Sequence, residues 1–288
     1  MSTTPYRVQV IPKIKRDNYI NLYKKGLRSD ERDLFTPRKI TIETNVLEKT
    51  NGSALVKLGN TLVMVGIKLE VGQPFSDTPD EGVLQVHAEL VPLASPQFEP
   101  GPPDENSIEL ARVIDRSLRD PKAIDLKSLV IRQGDKVWIL WVDLYILDYD
   151  GNLFDASMLA TMAALFTTRL PEYEELETGE VKIKEGLSNN YIKMNKKIVT
   201  VTTAKIENYI VVDPNLDEEI ISDTKSVLSF DENGNIVGAQ KAGMGSYSLE
   251  EINNTIEISR KASQVYFKLL EDTLNKEVKP RSNEEGGK

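Results

Sequence analysis

The run KVWILWVDLYILDYDGNLFDASMLATMAALFTT, residues 136–168, decides the fold. Its first part, KVWILWVDLYILDYDG (136–151), is strand-like and apolar almost throughout, and reads as a central strand. From about Asp155 to Thr168 the chain is just as apolar, but now in Ala, Met, Leu and Thr. This predicts a helix whose small residues allow close packing. Asp143 interrupts the apolar strand, so its carboxylate must find a cation or face water.

Upstream of this run the pattern has period two from Ile40. KITIETNVL, GSALVKLG and NTLVMVGIKLE read as strands separated by NG and GN turns, and GVLQVHAELVPL (82–93) as another. ASPQFEPGPPDEN is a loop, and it leads to SIELARVIDRSLRD (107–120), a helix with Ser107 as its expected N-cap and Pro121 as its stop. Residues 17–25 predict a short helix capped by Asp17 and closed by Gly26.

Downstream, the charged, Gly-broken residues 171–197 predict a boundary. Strand patterns resume in IVTVTTAKIENYIVVDP, and in KSVLSFDENGNIVGAQKAG, whose ENGN is a hairpin turn. Residues 248–277 predict one long helix. Ser248 and Glu251 have capping-box spacing, and Ile252, Ile256, Tyr266, Leu270 and Leu274 share a stripe with Ser259 and Ser263 between them. KPRSNEEGGK is a polar tail expected to fray. The fold class is therefore α+β, in two units related by a loose internal duplication. These span 30–170 and 190–277, after an N-terminal helix and arm over 1–29.

The chain has 288 residues, no Cys, one His and a formal charge of -9. Disulfides, thiolate metal sites and Cys nucleophiles are excluded. With His87 alone on a strand, a zinc site or a Ser-His triad has no basis. No apolar run approaches the ~18 residues of a spanning helix, so a soluble intracellular protein is expected. VVDPNLDEEIISD (211–223) gathers Asp213, Asp217, Glu218, Glu219 and Asp223, which could hold Mg²⁺ or form a solvated loop. AGMGS (242–246) lacks the Lys-Ser/Thr of a P-loop and reads as a turn.

Against this acidic background Arg112, Arg116 and Arg119 fall on one stripe of the 107–120 helix, opposite Leu110, Ile114 and Leu118. Guanidinium groups spaced by helical turns suit the phosphates of an extended polyanion. The same arginines could equally form surface pairs with Glu109 and Asp115, worth about 0.3–0.5 kcal/mol each. Arg132 and Arg169 are further candidates for that surface. One electropositive stripe without a catalytic constellation suits a subunit that holds a polyanion while another chain does the chemistry.

In SIELARVIDRSLRD, WVDLYILDYDGNLFDASMLATMAAL and LSFDENGNIVGAQKAGMGS the chain resembles the archaeal exosome subunits of the RNase PH family, in particular the non-catalytic ring subunit, from the N-terminal helix to about Glu277. The resemblance implies an RNase PH-like fold of two pseudo-duplicated βαβα-type halves with mixed sheets and packed helices, the first similar to ribosomal protein S5 domain 2. It implies a ring of three heterodimers with a catalytic RNase PH-like partner, RNA-binding cap subunits on one face, and a cytoplasmic location. The complex would degrade single-stranded RNA from its 3′ end by phosphate attack, with no DNA or membrane role. Mg²⁺ or a similar divalent ion, and inorganic phosphate, would be used by the partner and not by this subunit.

Two departures from the active members support that assignment. Where they carry a Gly-Ser/Thr-Arg phosphate loop, this sequence has YDGNLFDAS without Arg. Matching back from SVLSF puts Lys225 at the active members' carboxylate, and a slip of two residues would put Asp223 there. By resemblance, Arg112, Arg116 and Arg119 would reach RNA phosphates in the composite site. The rival expectations are a self-sufficient Mg²⁺-dependent exoribonuclease using Asp213, Asp217 or Asp223, and a pure scaffold without RNA contact.

Overall fold

The computed structural model describes residues 13–176 and 181–278; the arm over 1–12 and the tail KPRSNEEGGK lie outside the described residues. The chain runs α1 (Lys13–Tyr23), β1 (Ile40–Thr44), β2 (Gly52–Leu58), β3 (Thr61–Gly72), β4 (Val83–Leu90), α2 (Glu105–Arg119), β5 (Val130–Arg132), β6 (Lys136–Asp148) and α3 (Leu153–Thr167). It continues through β7 (Arg169–Glu175), β8 (Val181–Tyr191), β9 (Ile198–Ile206), β10 (Tyr209–Val212), α4 (Leu216–Ile221), β11 (Thr224–Asp231), β12 (Ile236–Ala242) and α5 (Leu249–Val278).

The apolar strand β6 is central. The first sheet has the order β1-β2-β3-β6-β4, with β5 paired to β6. β3 runs antiparallel to β6 and β4 runs parallel to it, so the sheet is mixed. The parallel pair requires a crossover, and α2 lies within it. The second sheet, β10-β9-β11-β12, is antiparallel in every pair.

α3 is buried on nearly every side, from Phe154 through Leu165. It packs on β2 and β3 of the first sheet and on β9 of the second. A helix without a polar face needs that double cover. Its start is two residues earlier than the sequence suggests. Asn152, in the left-handed region at φ 56°, is its N-cap. The preceding Gly151 has φ +79°, and a Cβ there would sit 2.5 Å from the Asn215 backbone. Glycine therefore lets the start of α3 touch the second half. One hydrophobic cluster runs from Val56 and Leu144 through Leu159 to Val201, Phe230 and Tyr266, so the two halves share a core.

Several expectations are corrected. α1 begins at Lys13, and Asp17 lies inside it. Its extent follows from packing of Tyr19, Ile20 and Tyr23 on Ala204, Ile206, Val211 and Ile221. The N-cap of α2 is Asp104, whose carboxylate accepts from Ser107 N at 2.8 Å; Ser107 donates its hydroxyl to Asp104 O. A carboxylate at a helix N-terminus also gains from the macrodipole. The expected boundary region 171–197 carries structure of its own: β7 and β8 pair as a two-stranded antiparallel sheet. Its charge reflects exposure of most of β7 beyond Pro171. In α5 the Ser248/Glu251 capping box is present. The buried stripe, however, is Thr255, Ser259, Ala262, Ser263, Tyr266 and Leu270, while Ile252 is exposed. Close packing of α5 on β9 and α3 favours that line of small side chains. No described helix is long and apolar enough to cross a membrane.

Candidate nucleic-acid interface

α2 is amphipathic, and its two faces have separate tasks. Ser107, Leu110, Ile114, Ser117 and Leu118 are buried against β4 and α3. Arg112 and Arg116 lie on the opposite, exposed side. Arg112 has no hydrogen-bond or ion-pair partner among the described residues. Arg116 reaches Asp120 only at 3.7 Å, with both side chains more than half exposed. Such a pair is too weak and too wet to hold Arg116.

Arg119 behaves differently. It donates to Asp115 at 2.6 and 3.1 Å and to the Leu84 carbonyl at 2.9 Å. The Asp115 carboxylate holds the guanidinium above its ordinary pKa. The free part of the stripe is therefore Arg112 and Arg116, and Arg119 ties the end of α2 to β4. Arg132 and Arg169 do not join them: Arg132 pairs with Asp135 and Glu175, and Arg169 lies over the Tyr191 ring.

Two further ties join α2 to the second sheet. The Ser117 and Ser229 hydroxyls share a buried hydrogen bond of 2.8 Å, and Gln240 Nε2 donates to Glu109 Oε1 at 3.0 Å. A Cβ at Gly238 would come within 3.2 Å of both serine hydroxyls, so glycine there permits the approach. Nothing in the local sequence signals these contacts.

The acidic run around α4 is occupied by cations. Asp213 accepts from Arg38 N, Nε and Nη2, from Asn152 Nδ2 and from Arg32. Although burial alone would raise it, the Arg38 guanidinium holds its carboxyl below the usual range. Glu218 pairs with the fully buried Arg28 and accepts from Tyr23 OH. Asp217 takes Lys15, Asp223 takes Arg16 and Glu207 N, and Glu219 takes Lys225, Tyr149 OH and Asn152 N. Among the described residues no three acidic or imidazole side chains converge as a metal cage requires. These acids, already neutralised by basic side chains, do not fit a divalent ion, and Lys225 sits in an ion pair.

The YDGNLFDAS loop is also closed. Phe154 is buried and Asp155 wholly so. Asp155 accepts from Asn152 Nδ2, Thr202 N, Thr202 Oγ1 and Tyr266 OH. Burial nonetheless pushes its carboxyl up to about 7, with the Asp213 charge adding to the rise against those donors. An unfolded Asp titrates near 3.9. Between about pH 4 and 7 the folded chain thus keeps a proton that the unfolded chain has lost, and stability falls as pH rises, by at most ~1.4 kcal/mol per unit. Asp213 acts oppositely: its contribution is present above about pH 4 and lost as pH falls through its depressed value. Chemical denaturation from pH 4 to 8 should show the declining limb in the native chain, and Asp155→Asn should flatten it. An unchanged slope in that variant would assign the decline elsewhere.

His87 is exposed on β4, in register with Asp143 on β6. Burial raises the Asp143 carboxyl, and His87 opposes the rise. The pair lies on the outer face of the first sheet.

Comparison with known proteins gives a consistent result. Models of the 3′ exoribonuclease family match over residues 36–171 (domain 1) and 197–262 (domain 2). The exosome complex component Rrp42 of Aeropyrum pernix is 62% identical over 274 residues, covering 95% of this chain and 99% of that protein. The Rrp42 of Saccharolobus solfataricus is 47% identical, covering 94% and 98%. Among solved structures, a chain of the Archaeoglobus fulgidus exosome with RNA bound to the active site superposes with a TM-score of 0.80 at 45% identity, covering 88% of this chain and 97% of that one. A chain of an archaeal exosome core gives 0.76 at 41% identity, covering 89% and 96%.

Proposed function

The chain belongs to the 3′ exoribonuclease (RNase PH) family, and from that premise we propose that it is the non-catalytic, RNA-holding subunit of an exosome ring. The observation that carries this reading is the pairing of an open arginine face with closed acid sites. Arg112 and Arg116 stand exposed and essentially unpaired, while Asp213, Asp217, Glu218, Glu219 and Asp223 are each bound by a basic side chain.

In the assembled ring Arg112 and Arg116 grip phosphates of single-stranded RNA, and Arg119 fixes the last turn of the helix that carries them. The catalytic RNase PH-like partner supplies the carboxylates and the phosphate loop, and uses Mg²⁺ or a similar ion with inorganic phosphate. Three such heterodimers close the ring, RNA-binding cap subunits cover one face, and the complex works in the cytoplasm. Lys225 occupies the degenerate catalytic position and neutralises Glu219.

The test is poly(A) phosphorolysis by the isolated chain, by the isolated partner and by the reconstituted complex, with the mass of the complex measured. The reading expects nucleoside diphosphate release only when the partner is present, and a mass of three heterodimers. Robust release by this chain alone would overturn it.

A further inference from the structure

We propose that Gln240 is a positioning residue that holds the Glu109 carboxylate away from Arg112 and so keeps that guanidinium available to RNA phosphate. The inference rests on the reading of Arg112 as a phosphate contact and adds how its availability is maintained.

Two acids lie one helical turn from Arg112: Glu109, three residues before it, and Asp115, three residues after it. Side chains at that spacing are neighbours on a helix, and oppositely charged ones pair readily. One turn along α2, Arg119 pairs with Asp115, four residues before it. Glu109 instead accepts from Gln240 Nε2, across 131 residues of sequence. Asp115 is taken by Arg119 at 2.6 Å. Both acids that could neutralise Arg112 are thus engaged elsewhere, one by a neutral amide from another sheet and one by a second arginine.

Gln240 suits this task for two reasons. Its backbone pairs with Val227 in the β11–β12 ladder, so the sheet and not a loop places its amide. An amide donor also satisfies one carboxylate oxygen without adding charge near the RNA path. A lysine there would add a cation, and an alanine would release Glu109.

Release has a defined consequence. Glu109 would swing to Arg112, the pair would need to break for each RNA molecule bound, and one phosphate contact would be weakened. In the complex with the catalytic partner, Gln240→Ala should weaken single-stranded RNA binding about three- to tenfold and flatten the log–log salt slope by about 0.7. KM for RNA should rise while kcat holds. Adding Glu109→Gln to Gln240→Ala should restore affinity and slope, because no carboxylate is then left to reach Arg112. A displaced β12 could not be rescued in that way.

The decisive set is therefore Gln240→Ala, Glu109→Gln, their double variant and Arg112→Ala, read by RNA titration at several salt concentrations, with a crystal structure of Gln240→Ala. A Glu109 carboxylate within ~4 Å of Arg112 in that structure, with rescue in the double variant, supports the proposal. A Glu109 that stays away from Arg112, or a double variant as weak as Gln240→Ala, overturns it. If Arg112→Ala lowers affinity but Gln240→Ala does not, the positioning role falls and the RNA-binding reading stands. If Arg112→Ala changes nothing, the RNA-binding reading falls, and the role of Gln240 with it.

Discussion

Asp213→Ala should destabilise the fold by about 3–5 kcal/mol, because it leaves the Arg38 guanidinium buried without its counter-charge. The position is unusually connected. Asp213 is wholly buried and receives three Arg38 donors, the Asn152 amide and Arg32. Arg38 also donates to the Asp150 and Gly151 carbonyls, so the defect would spread into the turn that starts α3. For a chain of this size such a loss lowers Tm by roughly 10 °C. Asp213→Asn keeps an acceptor for the Arg38 backbone and should be less severe. Circular dichroism melts of the three proteins check the order. The same variants separate this protein from a self-sufficient enzyme: a catalytic Asp213 would lose rate on mutation while melting normally. Equal melting of Asp213→Ala and the native chain would refute the structural role.

The second large effect is expected at α2. The double variant Arg112→Ala, Arg116→Ala, assembled with the catalytic partner, should bind single-stranded RNA about 100-fold more weakly, taking ~1.5 kcal/mol for each charged contact. Its log–log salt slope should fall by about 1.4, roughly 0.7 for each phosphate lost. Both side chains point away from the core, so melting and assembly should be unchanged. Arg112→Lys with Arg116→Lys keeps the charges but loses the fork geometry, and should retain the salt slope while losing part of the affinity. Filter binding across a salt series measures all of this. A scaffold whose arginines serve only as surface pairs would show native affinity and slope in the double variant.

What could be read from the chain alone depended on how local the deciding physics is. β6 was legible as a strand from its run of Val, Ile, Leu and Trp, and α3 from its lack of a polar face. Double cover holds for α3, whereas one face of β6, with Trp141, Asp143 and Tyr145, is only partly covered. The β11–β12 hairpin was legible from ENGN, and the α2 stripe from its 3.6-residue period. The α1 start was not, since Tyr19, Ile20 and Tyr23 are placed by strands almost 200 residues away and not by Asp17. Ser107 looked like a cap because the better acceptor, Asp104, sits inside a proline-rich loop. The irregular stretch LRSDERDLFTPRK hid Arg28 and Arg38, whose partners Glu218 and Asp213 lie 190 and 175 residues further on. The contact of Gln240 with Glu109 was invisible for the same reason. Residue types and local periods located the cationic face, but only the folded chain separated Arg119 from Arg112 and Arg116.

The all-round burial of α3 has a mechanical corollary. A helix that fills the seam between two sheets leaves no plane along which they could slide or swing. An assembly built from such protomers gains a stiff strut and not a joint. In the ring proposed above, any breathing would be carried by the contacts between neighbouring chains, and the spacing of Arg112 and Arg116 would stay constant while they move.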